Sequence, residues 1–186
     1  MKPFVLFAFA LLLARAALGQ HQTFVVNPGS SEVKMTLNTT RELVNGTFHV
    51  QSGVIDFDPG TAKIDGDVVV AAGSGKTGSD SRDKRMNSYV LHVQQFATVM
   101  FSPRSYTGTI APTGDSTIQV TGVFTLLGTP HDLTLPIQIY RNGGDCTTKA
   151  HFVIPYVQWG LKDPSFLFWK TEKHVEMDLN LVGHIS

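Results

Sequence analysis

Leu133-Thr134-Leu135-Pro136-Ile137-Gln138-Ile139 places an aliphatic side chain at every odd position and Thr, Pro or Gln at every even one. A period of two belongs to a strand with one face buried and one wet. Val175-Glu176-Met177-Asp178-Leu179-Asn180-Leu181 repeats the pattern near the end of the chain, and Val33-Lys34-Met35-Thr36-Leu37 near its beginning. Between Thr23 and Ser186 the alternation hardly pauses. That many half-buried strands in one chain imply a sheet that closes on itself.

Turn chemistry separates the strands: Asn27-Pro28-Gly29, Asp58-Pro59-Gly60, Gly73-Ser74-Gly75, Pro112-Thr113-Gly114-Asp115, Asn142-Gly143-Gly144 and Asp163-Pro164. The intervals predict strands at 32–38, 46–57, 66–72, 97–109, 116–127, 132–141, 147–156 and 173–184. The fold class is all-β, an antiparallel meander, sandwich or barrel of eight strands. Pro136 cannot donate to a ladder, so a bulge or a weakly paired position is expected there. The exception is Asp80 to Gln95, where Ser79, Asp80 or Ser81 can cap a helix and Met86, Val90 and Leu91 follow at helical spacing. A lone helix among strands is expected to cover a barrel mouth or pack on an outer wall.

The apolar parity of each strand names the inward face. It comprises Val33, Met35 and Leu37, then Phe48, Ile55 and Phe57, then Val68 and Val70. The later strands add Ile118, Val120, Phe124 and Leu126, then Leu133, Leu135, Ile137 and Ile139, Phe152 and Ile154, and Val175, Met177, Leu179 and Leu181. No charge interrupts these faces. An eight-stranded barrel of this kind either fills its interior with side chains or holds one ligand. In the second case it forms an apolar tunnel for a chain-like lipid, where each buried methylene contributes about 0.8 kcal/mol. Composition does not separate the two.

The N-terminus reads as an address. Met1-Lys2, the apolar run Phe4 to Leu13 and the small residues before Gln20 form a signal peptide over 1–19, cleaved after Gly19. The run is too short to span a membrane, which takes about 20 residues. Residues 20–186 are then one domain, exported to the periplasm or secreted. The full chain carries 15 basic and 15 acidic residues; losing Lys2 and Arg15 tips it slightly acidic. Without a basic stripe, nucleic acid is not an expected partner. Cys146 stands alone and cannot form an internal disulfide, so the fold rests on burial and hydrogen bonds.

Four pieces of this pattern, in order and at compatible spacing, resemble one family. Gly46-Thr47-Phe48 with Gly53-Val54-Ile55-Asp56-Phe57 is similar to its second strand, and Gly78-Ser79-Asp80-Ser81-Arg82-Asp83 with Met86 and Leu91 to its helix. Phe96-Ala97-Thr98-Val99-Met100-Phe101 resembles its aromatic-to-strand transition, with Ala97-Thr98 in place of the usual Tyr-Pro. Gly122-Val123-Phe124-Thr125-Leu126-Leu127-Gly128 followed by Leu133-Thr134-Leu135 is similar to its signature hairpin. The family is the polyisoprenoid-binding YceI-like proteins. The resemblance implies an extended lipocalin-like, eight-stranded antiparallel barrel with a short helical insert over about 80–95. It implies an isoprenoid ligand, a polyprenyl chain or quinone tail, and no catalytic chemistry or further cofactor. A homodimer through an outer face follows by the same analogy.

Several polar and aromatic residues then stand as mouth candidates. Arg82 either ties the helix to the barrel or meets a phosphate or quinone head group. His131, with Asp132 in a loop after Gly128, is read as a hydrogen-bonding loop residue; a hydrolase would need a nucleophile beside it, and none stands in frame. His174, Glu176 and Asp178 share one outward strand face without metal-site spacing. Trp159, Phe166, Phe168 and Trp169 crowd one connection, as a plug over a barrel end or as a lid that admits ligand and touches a membrane transiently.

Overall fold

The computed structural model describes residues 21–186; the expected leader and its expected cleavage point lie outside them. Ten strands appear: β1 (Gln22–Val26), β2 (Glu32–Asn38), β3 (Leu43–Phe48), β4 (Val50–Asp58), β5 (Lys63–Ala71), β6 (Thr98–Gly108), β7 (Gly114–Leu126), β8 (Thr129–Asn142), β9 (Asp145–Ile154) and β10 (Val175–Ile185). Their order is β1-β4-β5-β6-β7-β8-β9-β10-β2-β3, with β1 also pairing β10. β1 and β2 are two halves of one bent strand along the edge of β10. Phe24–Val26 pair with Gly183–Ile185, and Glu32–Thr36 with Glu176–Asn180. β3 and β4, parted only by His49, are likewise halves of the next. The result is a closed eight-stranded antiparallel barrel with up-and-down connections.

All eight expected strands are present, and β1 is an addition. The single strand expected over 46–57 spans β3 and β4 and breaks at His49. The expected loop after Gly128 is corrected. Leu127 (φ 50°) and Gly128 (φ 70°) both adopt the left-handed conformation, as a two-residue hairpin turn requires, so β8 restarts at once and His131 lies in a strand. Pro136 forms no bulge, since the register to β7 runs unshifted through Gln119↔Pro136. It does sit where pairing is weak: β8 ladders with β9 only from Gln138 to Asn142. From Thr129 to Ile137 the two strands are splayed.

The helix is shorter than its expected 80–95. α1 (Asp80–Arg85) runs into one wide turn, Met86–Val90, closed by Leu91 N–H donating to the Met86 carbonyl at 2.9 Å. His92, at φ 46°, ends it. Ser79 holds the N-cap position without capping, its hydroxyl meeting Ser81 instead. The segment lies across one barrel end because Gly75 lets it approach. A Cβ there would stand 2.4 Å from Met86 Cε and 2.7 Å from Phe48 Cε1.

Candidate lipid-binding cavity

The parity that builds the wall leaves the inside hollow. A cavity of about 730 Å³ runs through the barrel, within the range of roughly 300–1,000 Å³ common to small-molecule sites. Of the twenty-two residues expected on the inward face, all but Leu133 line it, from Val33 and Met35 through Ile118 and Leu135 to Met177 and Leu181. Leu133, where β8 has parted from β9, packs instead against the cluster around Phe124 and Leu126. Their alternation supplies one aliphatic or aromatic side chain per two residues and no charge. Met86, Val90 and Leu91 of the helical segment join them, so the insert covers the mouth rather than the outer wall. Tyr156 and Leu161 reach in from the β9–β10 connection. Leu161 lies in a loop that parity does not reach; Tyr156 continues the parity of Phe152 and Ile154 at the end of the strand expected over 147–156, just past the observed end of β9.

The far end is sealed. Phe24, Tyr106, Cys146 and Ile185 are buried there, and Tyr106 Oη donates to the Asp58 carbonyl at 3.2 Å. Arg141, opposite Cys146 across β8 and β9, is also buried and reaches Gln22 Oε1 at 3.1 Å. Burial pushes the Cys146 thiol up to about 11, so it is no nucleophile at neutral pH.

The near end is polar at its rim, with Thr39, Arg41, Glu42, Ser79, Ser81, Arg82 and Arg85. Arg82 is committed to structure. Its Nε donates to Thr77 Oγ1 (2.8 Å), one terminal nitrogen to the Thr77 carbonyl (2.8 Å) and the other to Glu42 Oε1 (2.7 Å). Asp83 receives the Thr77 hydroxyl (2.6 Å) and amide (2.9 Å). The hydroxyl bond first, with the amide and the charges of Lys76 and Arg82, holds its carboxyl below the usual range. This network ties the helix to the residue before β3 and leaves Arg82 on the rim with each guanidinium nitrogen engaged in a hydrogen bond.

The four aromatic candidates separate. Phe166 and Trp169 border the cavity. Phe168 does not; it is 90% exposed and points away, because Phe166 and Trp169 bridge into a tight turn that throws the two residues between them outward. Trp159 and His131 also leave the mouth list. The two rings stack at 4.1 Å and 5°, with Trp159 leaning on Phe124 at 5.8 Å. His131 faces Phe124 across β7 and β8, so the indole wedges where β8 and β9 part. Asp132 turns outward to Arg104 at 3.6 Å and cannot orient the imidazole. Nor do His174 and Asp178 act together: His174 pairs with Glu172 (3.1 Å) and Asp178 with His151 (2.9 Å).

The connection that carries these aromatics is held at its root by Asp163. Its carboxylate takes the Lys173 ammonium, the Ser165 amide (2.9 Å) and the Thr171 hydroxyl (3.0 Å). Lys173 first, and then Ser165, hold Asp163 well below the usual carboxylate range. Tyr156 Oη donates to the Glu172 carbonyl at 2.7 Å.

Comparison with known proteins places this architecture. BcnA of Burkholderia cenocepacia superposes with a TM-score of 0.69 at 17% identity, covering 85% of this chain and 99% of that one. A polyisoprenoid-binding domain from Saccharophagus degradans, implicated in plant cell wall breakdown, gives 0.68 at 14% identity, over 88% and 98%. A Campylobacter jejuni YceI protein gives 0.53 at 15%, over 99% and 98%. No curated protein matches by sequence. The family profile described as the YceI-like domain matches residues 24–183, nearly all of the described barrel. The chain belongs to the YceI-like family.

Proposed function

We propose that the protein is an exported carrier that holds an isoprenoid lipid, a polyprenyl chain or quinone tail, in its barrel for storage or transport. The observation that carries the reading is the hollow wall. Close packing of side chains fills the interior of an ordinary domain, yet here the inward side chains bound about 730 Å³ that the chain itself does not occupy. A chain that needed only a stable barrel would fill that space. An apolar tunnel sealed below and polar at its rim suits a long tail with a small head group. The polyisoprenoid-binding domain among its structural neighbours supports the same ligand class. His131, stacked under Trp159 with Asp132 turned away, favours binding over hydrolysis. On this reading residues 1–19 act as a leader that exports the carrier to the periplasm or beyond the cell, residues 20–186 are the mature domain, and cargo is exchanged through transient contact with a membrane.

Native mass spectrometry of the protein purified from its own host, followed by organic extraction, tests the reading. A stoichiometric isoprenoid and a mature mass beginning at Gln20 are expected. An empty protein that also refuses added polyprenyl compounds would overturn it.

A further inference from the structure

The turn Phe166-Leu167-Phe168-Trp169 exposes four large apolar side chains in a row, at 61%, 70%, 90% and 56%. Soluble surfaces seldom carry such a contiguous patch without an occupant. The turn is not a stray loop. Phe166 and Trp169 exchange two backbone hydrogen bonds of 2.8 Å, and the Thr40 amide donates to the Lys170 carbonyl at 2.9 Å. The Arg41 guanidinium lies 4.7 Å over the Trp169 ring. The β2–β3 hairpin therefore holds the tip out while nothing in the barrel covers it.

Charge left unpaired around the tip is mostly positive: Glu42, Asp83, Asp163 and Glu172 are each taken up by a neighbouring cation or histidine, which leaves Asp80 as the unpaired acid among the described residues of these segments. Arg41, Lys84, Arg85, Lys162 and Lys170 cluster on the segments that frame the mouth, and none has an ion-pair partner among the described residues. Arg85 and Lys162 reach the Tyr89 ring from either segment, at 4.9 and 4.7 Å. The sealed end carries Asp58, Asp65, Asp115 and Asp145 on its hairpins. Aromatic rings favour the lipid–water interface, and unpaired lysines and arginines are drawn to anionic head groups.

From this juxtaposition we infer that the Phe166–Trp169 tip and its cationic surround form a docking face for an anionic lipid bilayer, which seats the barrel mouth-first. Leu167 and Phe168 enter the interface, and Phe166 and Trp169, which border both cavity and surface, line the path between them. The inference rests on the carrier reading and names the partner its mouth meets.

Co-sedimentation of the purified protein with phosphatidylglycerol vesicles and with phosphatidylcholine vesicles tests it. Binding to the first, weakened by salt, and little to the second is expected. Leu167→Ser/Phe168→Ser and Lys162→Glu/Lys170→Glu replace no residue that lines the cavity. Each is expected to weaken vesicle binding about tenfold with unchanged melting temperature and unchanged retention of an isoprenoid offered in detergent. Vesicle binding by a protein that retains no isoprenoid would sink the carrier reading and leave this one standing. Failure to pellet with anionic vesicles, or equal pelleting with both kinds, would overturn it. So would a concentration-dependent dimer that Leu167→Ser/Phe168→Ser abolishes, since the occupant would then be a second copy.

Discussion

At one end of the barrel short turns join β4 to β5 and β8 to β9, Tyr106 and Arg141 are buried, and carboxylates ring the outside. At the other, the 26 residues between β5 and β6 and the twenty between β9 and β10 spread into a helix, a wedge and an aromatic tip among unpaired cations. One end is closed by side chains buried on the paired strands themselves, where tolerance for change is small. The other is closed by side chains on long insertions, which can move apart without unzipping the sheet. The difference separates what keeps the barrel shut from what lets it open.

The most damaging way to break that contrast is at the seam of the sealed end. β1 meets β10 through only three residue pairs, and a Cβ on Gly183 would stand 2.2 Å from the Val25 carbonyl oxygen. Backbone cannot step aside as a flexible side chain can. Gly183→Ala is expected to cost about 3 kcal/mol by overpacking, read as a lower urea midpoint with an unchanged m-value. A loss below about 0.5 kcal/mol, the level of an ordinary surface change, would mean the seam is soft and the two ends are alike.

Trp159→Ala comes next, at the mouth end. It removes the ring stacked on His131 and leaning on Phe124, at an expected cost of about 2 kcal/mol, less than a fully buried tryptophan because the site is partly open. Its larger consequence is kinetic: with the wedge gone from between splayed β8 and β9, bound lipid should exchange faster at equal occupancy. Stopped-flow transfer to acceptor vesicles measures this, and unchanged exchange would assign Trp159 to packing alone.

The walls were legible in the sequence and the ends were not, for a physical reason. Alternation along β7, β8 and β10 is dictated locally, because each residue's face follows from its neighbour's. β1 escaped notice because Val25 is apolar yet 47% exposed, which blurs the period over five residues. The cavity was undecidable from parity, since a filled barrel shows the same pattern. The stack of His131 on Trp159 joins residues twenty-eight apart and depends on a turn, Leu127-Gly128, whose conformation only the fold fixes. Cap residues and the spacing of Met86, Val90 and Leu91 marked the helix, whereas its wide last turn has no signal in residue type.

Acid should distinguish the ends more gently. Asp163 and Asp83 serve the mouth, and both are held below the usual carboxylate range by the bonds they accept. A carboxyl depressed in the folded state stabilises fully above its unfolded pKa of about 4 and loses that contribution as pH falls further, through its folded value. Below about pH 4 the β9–β10 connection and α1 should therefore loosen before the ladders do. Asp58, also depressed, ties only its own hairpin at the sealed end, through Thr61 and Gly60. Hydrogen exchange at pH 3 and pH 6 checks this: protection should fall first at 77–91 and 156–173, and a uniform loss would erase the distinction.

The smallest expected change in stability carries the most about function. Leu179 lines the middle of the wall and is only partly buried because the cavity lies before it. In a filled core, Leu179→Trp would overpack and cost about 1–3 kcal/mol. In a hollow one the indole finds space and gains apolar contact, so the melting temperature should stay level or rise. The same ring occupies the room a lipid tail needs, and retention of an isoprenoid should drop about tenfold, a loss of roughly 1.4 kcal/mol in binding. Stability kept with binding lost is the signature of a wall built around a guest; stability lost would mean that the interior closes on itself and that the mouth opens onto nothing.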